Sequence, residues 1–265
     1  MPKRNLHEKP FDEGTKVKLE LYQGYLREWL HVFINNPYVD TLQIFDFFAG
    51  PGRDVTGTPG SPEITCDEIR NVLDKCNKRI RLYFNEHAAD KYQKLSDCLN
   101  AQKPYLAGVA FDIRQDDFHD IFKKWQPLMQ GRVANLLFLD QNGVDQITKP
   151  IFQSIVKILR TDFLFFISSA MVNRFKKSKK ICENLPIEPE DFSSMNGQNV
   201  HRILVNAYLR WIPDDVDYFL GAFSIKKGAN VYGLVFGSRH PRGIDKFLQV
   251  AWKHGGDANF DIDKD

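Results

Sequence analysis

Two rhythms of apolar side chains alternate along the chain. Between residues 14 and 35, Val17, Leu21, Tyr25, Leu26, Trp29, Val32 and Phe33 recur at helical spacing, which predicts an amphipathic helix ended by Asn35-Asn36-Pro37. Residues 42–48 read as a buried strand that runs into Ala49-Gly50-Pro51-Gly52-Arg53. A second turn-rich piece, Gly57-Thr58-Pro59-Gly60, leads to Ser61-Pro62-Glu63. That tripeptide has the form of a helix entry, with Ser61 as N-cap, a proline at the first helical position and an acid in the first turn.

From there helices over 64–76, 88–99, 118–125 and 149–159 alternate with strands over 80–85, 108–113, 134–140 and 162–168. Such alternation predicts a parallel sheet covered on both faces, the doubly wound α/β class. Residues 176–199 are polar and read as an insertion, and a helix follows over 200–211. Strands over 218–225 and 231–238 flank Lys226-Lys227-Gly228-Ala229-Asn230, a hairpin signal, and a last helix covers 244–252. A mostly parallel sheet of seven strands that finishes in an antiparallel hairpin is the Rossmann-like class I methyltransferase arrangement; dehydrogenase sheets usually lack that ending. The expectation is a single domain over 1–265.

Composition narrows the picture. The 265 residues are 43% hydrophobic and 26% charged, ordinary globular proportions that exclude a disordered or fibrous chain. A formal charge of +2 is close to balance, so a nucleic-acid partner requires a local basic patch. Cys66, Cys76, Cys98 and Cys182 form no CxxC pair and no Cys/His cluster at zinc spacing, so no metal site is expected and a reducing compartment is. The first residues carry no apolar core after their basic positions, unlike a secretory signal. The apolar run 163–167 is too short to span a bilayer. A cytoplasmic protein without membrane contact is expected.

Candidate chemistry sits where the strands end. Asp46, Ala49, Gly50 and Gly52 close the first strand, the place where open α/β sheets bind ligands. Glycines let a ligand approach the backbone, and an acid suits a cationic group such as a sulfonium or an α-amino group. Val55 breaks the dinucleotide fingerprint, and no phosphate-binding Gly-Lys-Ser/Thr is present. Glu86 ends the second strand, where a carboxylate accepts hydrogen bonds from ribose hydroxyls or caps a helix. Asp117 and Phe118 follow the third strand; an acid before an aromatic suits the amino edge and face of an adenine, and equally suits a helix N-terminus. The fourth strand ends in Asp140-Gln141-Asn142-Gly143. Asp140 suits a base or an acceptor for a nucleophilic amine and Asn142 an orienting amide, with a plain Asn-Gly turn as the alternative. Arg174, Lys176 and Lys177, with Lys179 and Lys180, read either as phosphate contacts or as a solvated cationic loop, and Arg53 as a further contact to substrate phosphate.

The segments FDFFAGPGRDVTGTPGSPEI, FLDQNGV and HPRGIDKFLQVAWKHGGDANFDID, with the opening FDEGTKVKLELYQGYLREWL, resemble the three-Cys-motif partner (TcmP) family over essentially the whole chain. The resemblance implies a class I methyltransferase-like fold with S-adenosylmethionine as cofactor, Asp46, Ala49, Gly50 and Gly52 at its methionine end and Glu86 at its ribose. It also implies a partner protein that carries a three-cysteine motif. Relatives tend to have Asp-Pro-aromatic-Gly after the fourth strand; here Asp140 and Gly143 remain while the proline and the aromatic platform are absent. A flipped base loses a stacking partner worth about 1–3 kcal/mol.

Two functions follow from these residues. One is an S-adenosylmethionine-dependent methyltransferase acting on a nucleic acid or modified nucleobase. The alternative is a non-catalytic partner subunit on a methyltransferase scaffold that binds a three-cysteine-motif protein. A dehydrogenase is disfavoured by the broken glycine fingerprint and the terminal hairpin.

Overall fold

In the computed structural model the described residues are 10–141, 146–167, 172, 185, 187–195, 200–227, 230–254 and 258–259. The chain divides into two compact units, Met1–Phe138 and Leu139–Asp265.

The first unit begins with α1, Glu13–Ile34, whose N-cap Asp12 accepts the Thr15 backbone N–H at 2.9 Å. Three strand–helix repeats follow: β1 (Thr41–Asp46) and α2 (Ser61–Val72), β2 (Arg79–Asn85) and α3 (Ala89–Gln102), β3 (Val109–Arg114) and α4 (Phe118–Trp125). β4 (Val133–Leu139) closes the set. β1 lies between β2 and β4, all parallel, with Thr41 opposite both Arg79 and Val133, and β3 joins the outer edge of β2. Every residue of β1 is buried, as a central parallel strand demands. Its odd positions face α4: Phe45 stacks on Tyr83 at 4.3 Å and meets the Trp125 ring at 5.9 Å. On the α1 side, Tyr22 packs against Phe138 at 4.4 Å.

The chain runs from β1 outward to β3 and then returns to the other side of β1 as β4. In open α/β sheets such a reversal of strand order marks the carboxyl ends of the strands as the ligand-binding edge.

The second unit holds α5 (Lys149–Lys157), β5 (Thr161–Ile167), the short α6 (Pro189–Ser194) and α7 (Val200–Leu209). β6 (Phe219–Lys227) and β7 (Asn230–Ser238) form the expected antiparallel hairpin, and β7 also pairs antiparallel with β5. α8 (Pro241–Ala251) starts three residues earlier than its apolar pattern, because Pro241 supplies the first helical φ and His240 Nδ1 accepts the Arg242 N–H at 3.1 Å. The stretch read as an insertion contains α6, held by a capping box between Glu188 and Asp191.

The order of elements is that of a Rossmann-like α/β fold, with parallel strands in the first unit and an antiparallel hairpin in the second. An eighth strand, β8 (Ala258–Asn259), adds two residues beside β6. It is too short to carry a periodic signal. No described helix is long and apolar enough to cross a membrane, and no cluster of metal-ligating side chains occurs among the described residues.

Candidate functional site

The loop between β1 and α2 is built by hydrogen bonds that its sequence supplies. Asp46 is fully buried; its Oδ2 accepts the Ser61 hydroxyl at 2.6 Å and its Oδ1 the Phe48 N–H at 3.2 Å. The expected N-cap role of Ser61 is corrected here. Gly60 holds the cap position in an extended conformation and Ser61 is the first helical residue, because its hydroxyl is committed to Asp46. Pro62 then falls at the second helical position, where a missing N–H is equally harmless.

Ala49, almost fully buried, donates its N–H to the Asn85 carbonyl at 2.9 Å. Gly50 and Gly52 adopt φ of 64° and 87°, a left-handed backbone that side chains resist. A Cβ at Gly52 would also stand 2.9 Å from the Cys98 sulfur. The loop closes where the Gly60 N–H meets the Gly52 carbonyl at 2.8 Å.

Asp54 organises the outer turn. Its carboxylate accepts the Thr56 and Thr58 N–H groups, the Thr56 hydroxyl and, from the chain start, the Phe11 N–H. Burial works against its charge, but these four bonds hold its carboxyl well below the usual range.

Glu86, half-buried after β2, reaches across to this loop. Its Oε2 accepts the Gly50 N–H at 3.0 Å and its Oε1 the Ala88 N–H at 2.8 Å. The helix-cap alternative is thus half realised, since Ala88 precedes α3. A carboxylate offers about four lone-pair sites. Two are taken here by backbone donors, and one on each oxygen is left for a pair of hydroxyls.

Asn85, which the sequence reading passed over, joins the three loop ends. Its Nδ2 donates to the Phe47 and Asp116 carbonyls at 3.3 and 3.1 Å, and its Oδ1 accepts the Asp116 N–H at 3.0 Å. An amide at a buried strand end, directly before a candidate carboxylate, was the signal for it.

The structure separates Asp117 from Phe118. Asp117 is exposed and caps α4 by accepting the His119 N–H at 2.9 Å. Phe118 is buried, stacked on Phe48 at 5.1 Å and edge-on to Phe47 at 5.4 Å. Arg53 pairs with Glu63, whose Oε1 also accepts the Gln102 amide at 3.0 Å. Glu63 is buried, and its Oε2 has no hydrogen-bond partner among the described residues.

In the second unit Asp140 is half-buried and Gln141 turns inward. Gln141 Oε1 accepts the Gln146 and Ile147 N–H groups at 3.2 and 3.4 Å, which fixes the orientation of the amide. Asn142, Arg174, Lys176 and Lys177 lie outside the described residues.

No family model matches the sequence, and no curated protein matches it. Among solved structures, the SAM-dependent methyltransferase from Agrobacterium tumefaciens aligns with 82% of this chain at 7% identity and a TM-score of 0.45; this chain spans 60% of that protein's length. The precorrin-6y C5,15-methyltransferase from Geobacter metallireducens GS-15 aligns over 82% of this chain and 87% of its own, at 11% identity and a TM-score of 0.38. The geranyl diphosphate C-methyltransferase from Streptomyces coelicolor A3(2), in complex with Mg2+, geranyl-S-thiolodiphosphate and S-adenosyl-L-homocysteine, aligns over 89% and 81% at 11% identity, with a TM-score of 0.36.

Proposed function

We propose that this chain is an S-adenosylmethionine-dependent methyltransferase acting on a nucleic acid or modified nucleobase. The observation that carries the reading is the Glu86 carboxylate gripping the Gly50 amide, with an unspent lone pair on each oxygen. That arrangement offers a bidentate acceptor for the two hydroxyls of a ribose beside a loop whose left-handed glycines let a nucleoside lie against the backbone. The buried charge of Asp46 favours a cation nearby, as the amino-acid end of this cofactor requires. The residues present therefore fit the group.

S-adenosylmethionine, when bound, supplies an activated methyl on a sulfonium. The chain's own task is then alignment and desolvation, which a sparse set of side chains can perform. Glu86 would hold the ribose, and Ala49, Gly50 and Gly52 the methionine end. Asp117 would serve the adenine amino edge only by giving up its cap, while Phe118 bounds the site through Phe48 from within the core. Asp140 would accept a hydrogen bond from the nucleophilic amine and Asn142 would orient it. Arg53, Arg174, Lys176 and Lys177 would contact substrate phosphate; Arg53 already shares Glu63, so its contribution there is the smaller.

The test is isothermal titration with S-adenosylmethionine and S-adenosylhomocysteine, followed by methyl transfer to nucleic acid by wild type and Asp140→Ala. Binding by wild type, with turnover lost in the variant and cofactor affinity retained, is expected. A folded wild type that binds neither compound removes the proposal.

One observation favours the second reading, a non-catalytic subunit for a three-cysteine-motif partner. Gln141 stands where relatives tend to carry proline ahead of an aromatic, and its inward amide provides no stacking surface. On that reading Asp140→Ala is silent, and association with the three-cysteine protein persists without cofactor.

A further inference from the structure

A chain of buried hydroxyls connects α1 to the acid at the end of β1. Thr65 Oγ1 donates to the Ser61 carbonyl at 2.7 Å, which uses its single hydrogen. The Tyr22 phenol, 2.6 Å from the same Thr65 oxygen, must therefore be the donor in that contact. Ser61 in turn gives its one hydroxyl hydrogen to Asp46 Oδ2 at 2.6 Å, the length of a charge-assisted bond. Ser61 is thus fixed at its carbonyl from the Thr65 side and at its hydroxyl against Asp46. Tyr22, Thr65 and Asp46 are wholly buried and Ser61 nearly so. Burial, with the neighbouring Asp46 charge, keeps the phenol protonated far above neutrality, so the donor direction does not reverse.

Apolar side chains of the same shape would pack α1 on α2 at least as well, because buried polar pairs add little net stability. What the hydroxyls add is a defined place for one negative charge. That place is the carboxyl end of the central strand, beside the glycine loop and the first turn of α2. Asp46 exposes no surface, so it acts on a ligand through the field of its charge and through the backbone it holds. The reach of that field depends on the carboxylate being held still.

We propose that Ser61 is a positioning residue of the cofactor site: anchored by Tyr22 and Thr65, it fixes the buried Asp46 carboxylate whose field favours the cationic amino-acid end of the cofactor. This rests on the methyltransferase reading above. It assigns α1 a role in cofactor binding without placing any of its side chains on the cofactor.

Two probes separate positioning from general support of the fold. S-adenosylhomocysteine carries the amino-acid end; 5′-methylthioadenosine shares the adenosine and the thioether sulfur but lacks it. Both are titrated calorimetrically into wild type, Ser61→Ala and Tyr22→Phe, each first shown to be folded by its thermal transition. Ser61→Ala is expected to weaken S-adenosylhomocysteine about tenfold, or about 1.4 kcal/mol, and to leave methylthioadenosine within about twofold. Tyr22→Phe, which keeps the ring and so the packing on Phe138, is expected to show the same selectivity at about threefold. Equal loss for both ligands, or no loss for either, overturns the positioning role while leaving the methyltransferase reading intact. Wild type that binds neither ligand overturns both.

Discussion

The Glu86 carboxylate and the Gly50 amide meet at 3.0 Å although 36 residues separate them in sequence. Parallel pairing of β1 with β2, Asp46 opposite Phe84, brings the two loop starts side by side. A glycine at 50 turns its N–H toward β2 with φ at 64°, and Glu86 closes the gap. The contact makes the glycine loop and the candidate ribose acceptor one unit, so disturbing either disturbs both.

Replacing Glu86 by Ala leaves the Gly50 and Ala88 N–H groups to find other acceptors. The expected cost is about 1–3 kcal/mol in stability, read from urea unfolding. S-adenosylhomocysteine and 5′-methylthioadenosine should both lose about tenfold or more in affinity, because both carry the ribose. This parallel loss contrasts with the selective loss expected at Ser61. Unchanged affinity for methylthioadenosine in the folded variant would remove Glu86 from the site.

Gly52 faces two obstacles to any side chain. Its φ of 87° strains an L-residue by about 1 kcal/mol or more, and a Cβ would approach the Cys98 sulfur to 2.9 Å. Gly52→Ala should therefore lower stability by about 2–4 kcal/mol and weaken cofactor binding. Pairing it with Cys98→Ala removes the sulfur contact and leaves the 3.0 Å approach to the residue-98 Cβ and the backbone strain. The double variant should recover part of the loss, a coupling that a thermodynamic cycle measures directly. Strict additivity would show that the sulfur is not the obstacle.

Asp54 makes a prediction about acid. Its folded pKa is depressed from 3.8 because hydrogen bonds from Phe11, Thr56 and Thr58 outweigh the opposing effect of burial. A depressed carboxyl contributes stability that is complete above the unfolded value and fades as pH falls through the folded one. The difference in urea midpoint between wild type and Asp54→Asn should then be constant above about pH 5 and shrink steadily below about pH 4. A difference that stays flat to pH 3 would assign the turn's stability to its backbone bonds rather than to the charge.

Periodicity made the alternating strands and helices legible, and α4 in particular begins at Phe118 and ends at Trp125 as its spacing predicts. Strand-end position singled out Asp46, Gly50, Gly52 and Glu86 as candidates, since parallel sheets bind ligands at those ends, and the Glu86–Gly50 contact brings two of them together. What stayed hidden is of another kind. Ser61 looked like an N-cap because local rules place serine there, yet a tertiary acceptor fifteen residues away took its hydroxyl. Asp117 and Phe118, adjacent in sequence, point to solvent and core respectively, which one-dimensional spacing could not distinguish. Asn85 carried only a weak signal because its side-chain partners, Phe47 and Asp116, come from segments that meet only in the folded sheet.

The clamp between α1 and α2 predicts an asymmetry. Glu68 is 2% exposed and accepts from Gln23 Nε2 at 2.8 Å and from Arg27 at 3.0 and 2.7 Å, whereas the Arg27 side chain is 52% exposed. Removing the guanidinium, as in Arg27→Met, strands a buried carboxylate with a single neutral donor, at an expected cost of about 2–4 kcal/mol. Removing the negative charge, as in Glu68→Gln, leaves a cation that water can reach, and about 1–2 kcal/mol is expected. The methionine keeps most of the arginine's apolar stem, so lost packing contributes little to the comparison. Urea midpoints of the two variants decide it. If Glu68→Gln is the costlier, the exposed arginine is not the partner that offsets desolvation of Glu68, and the Gln23 contact must carry that load instead.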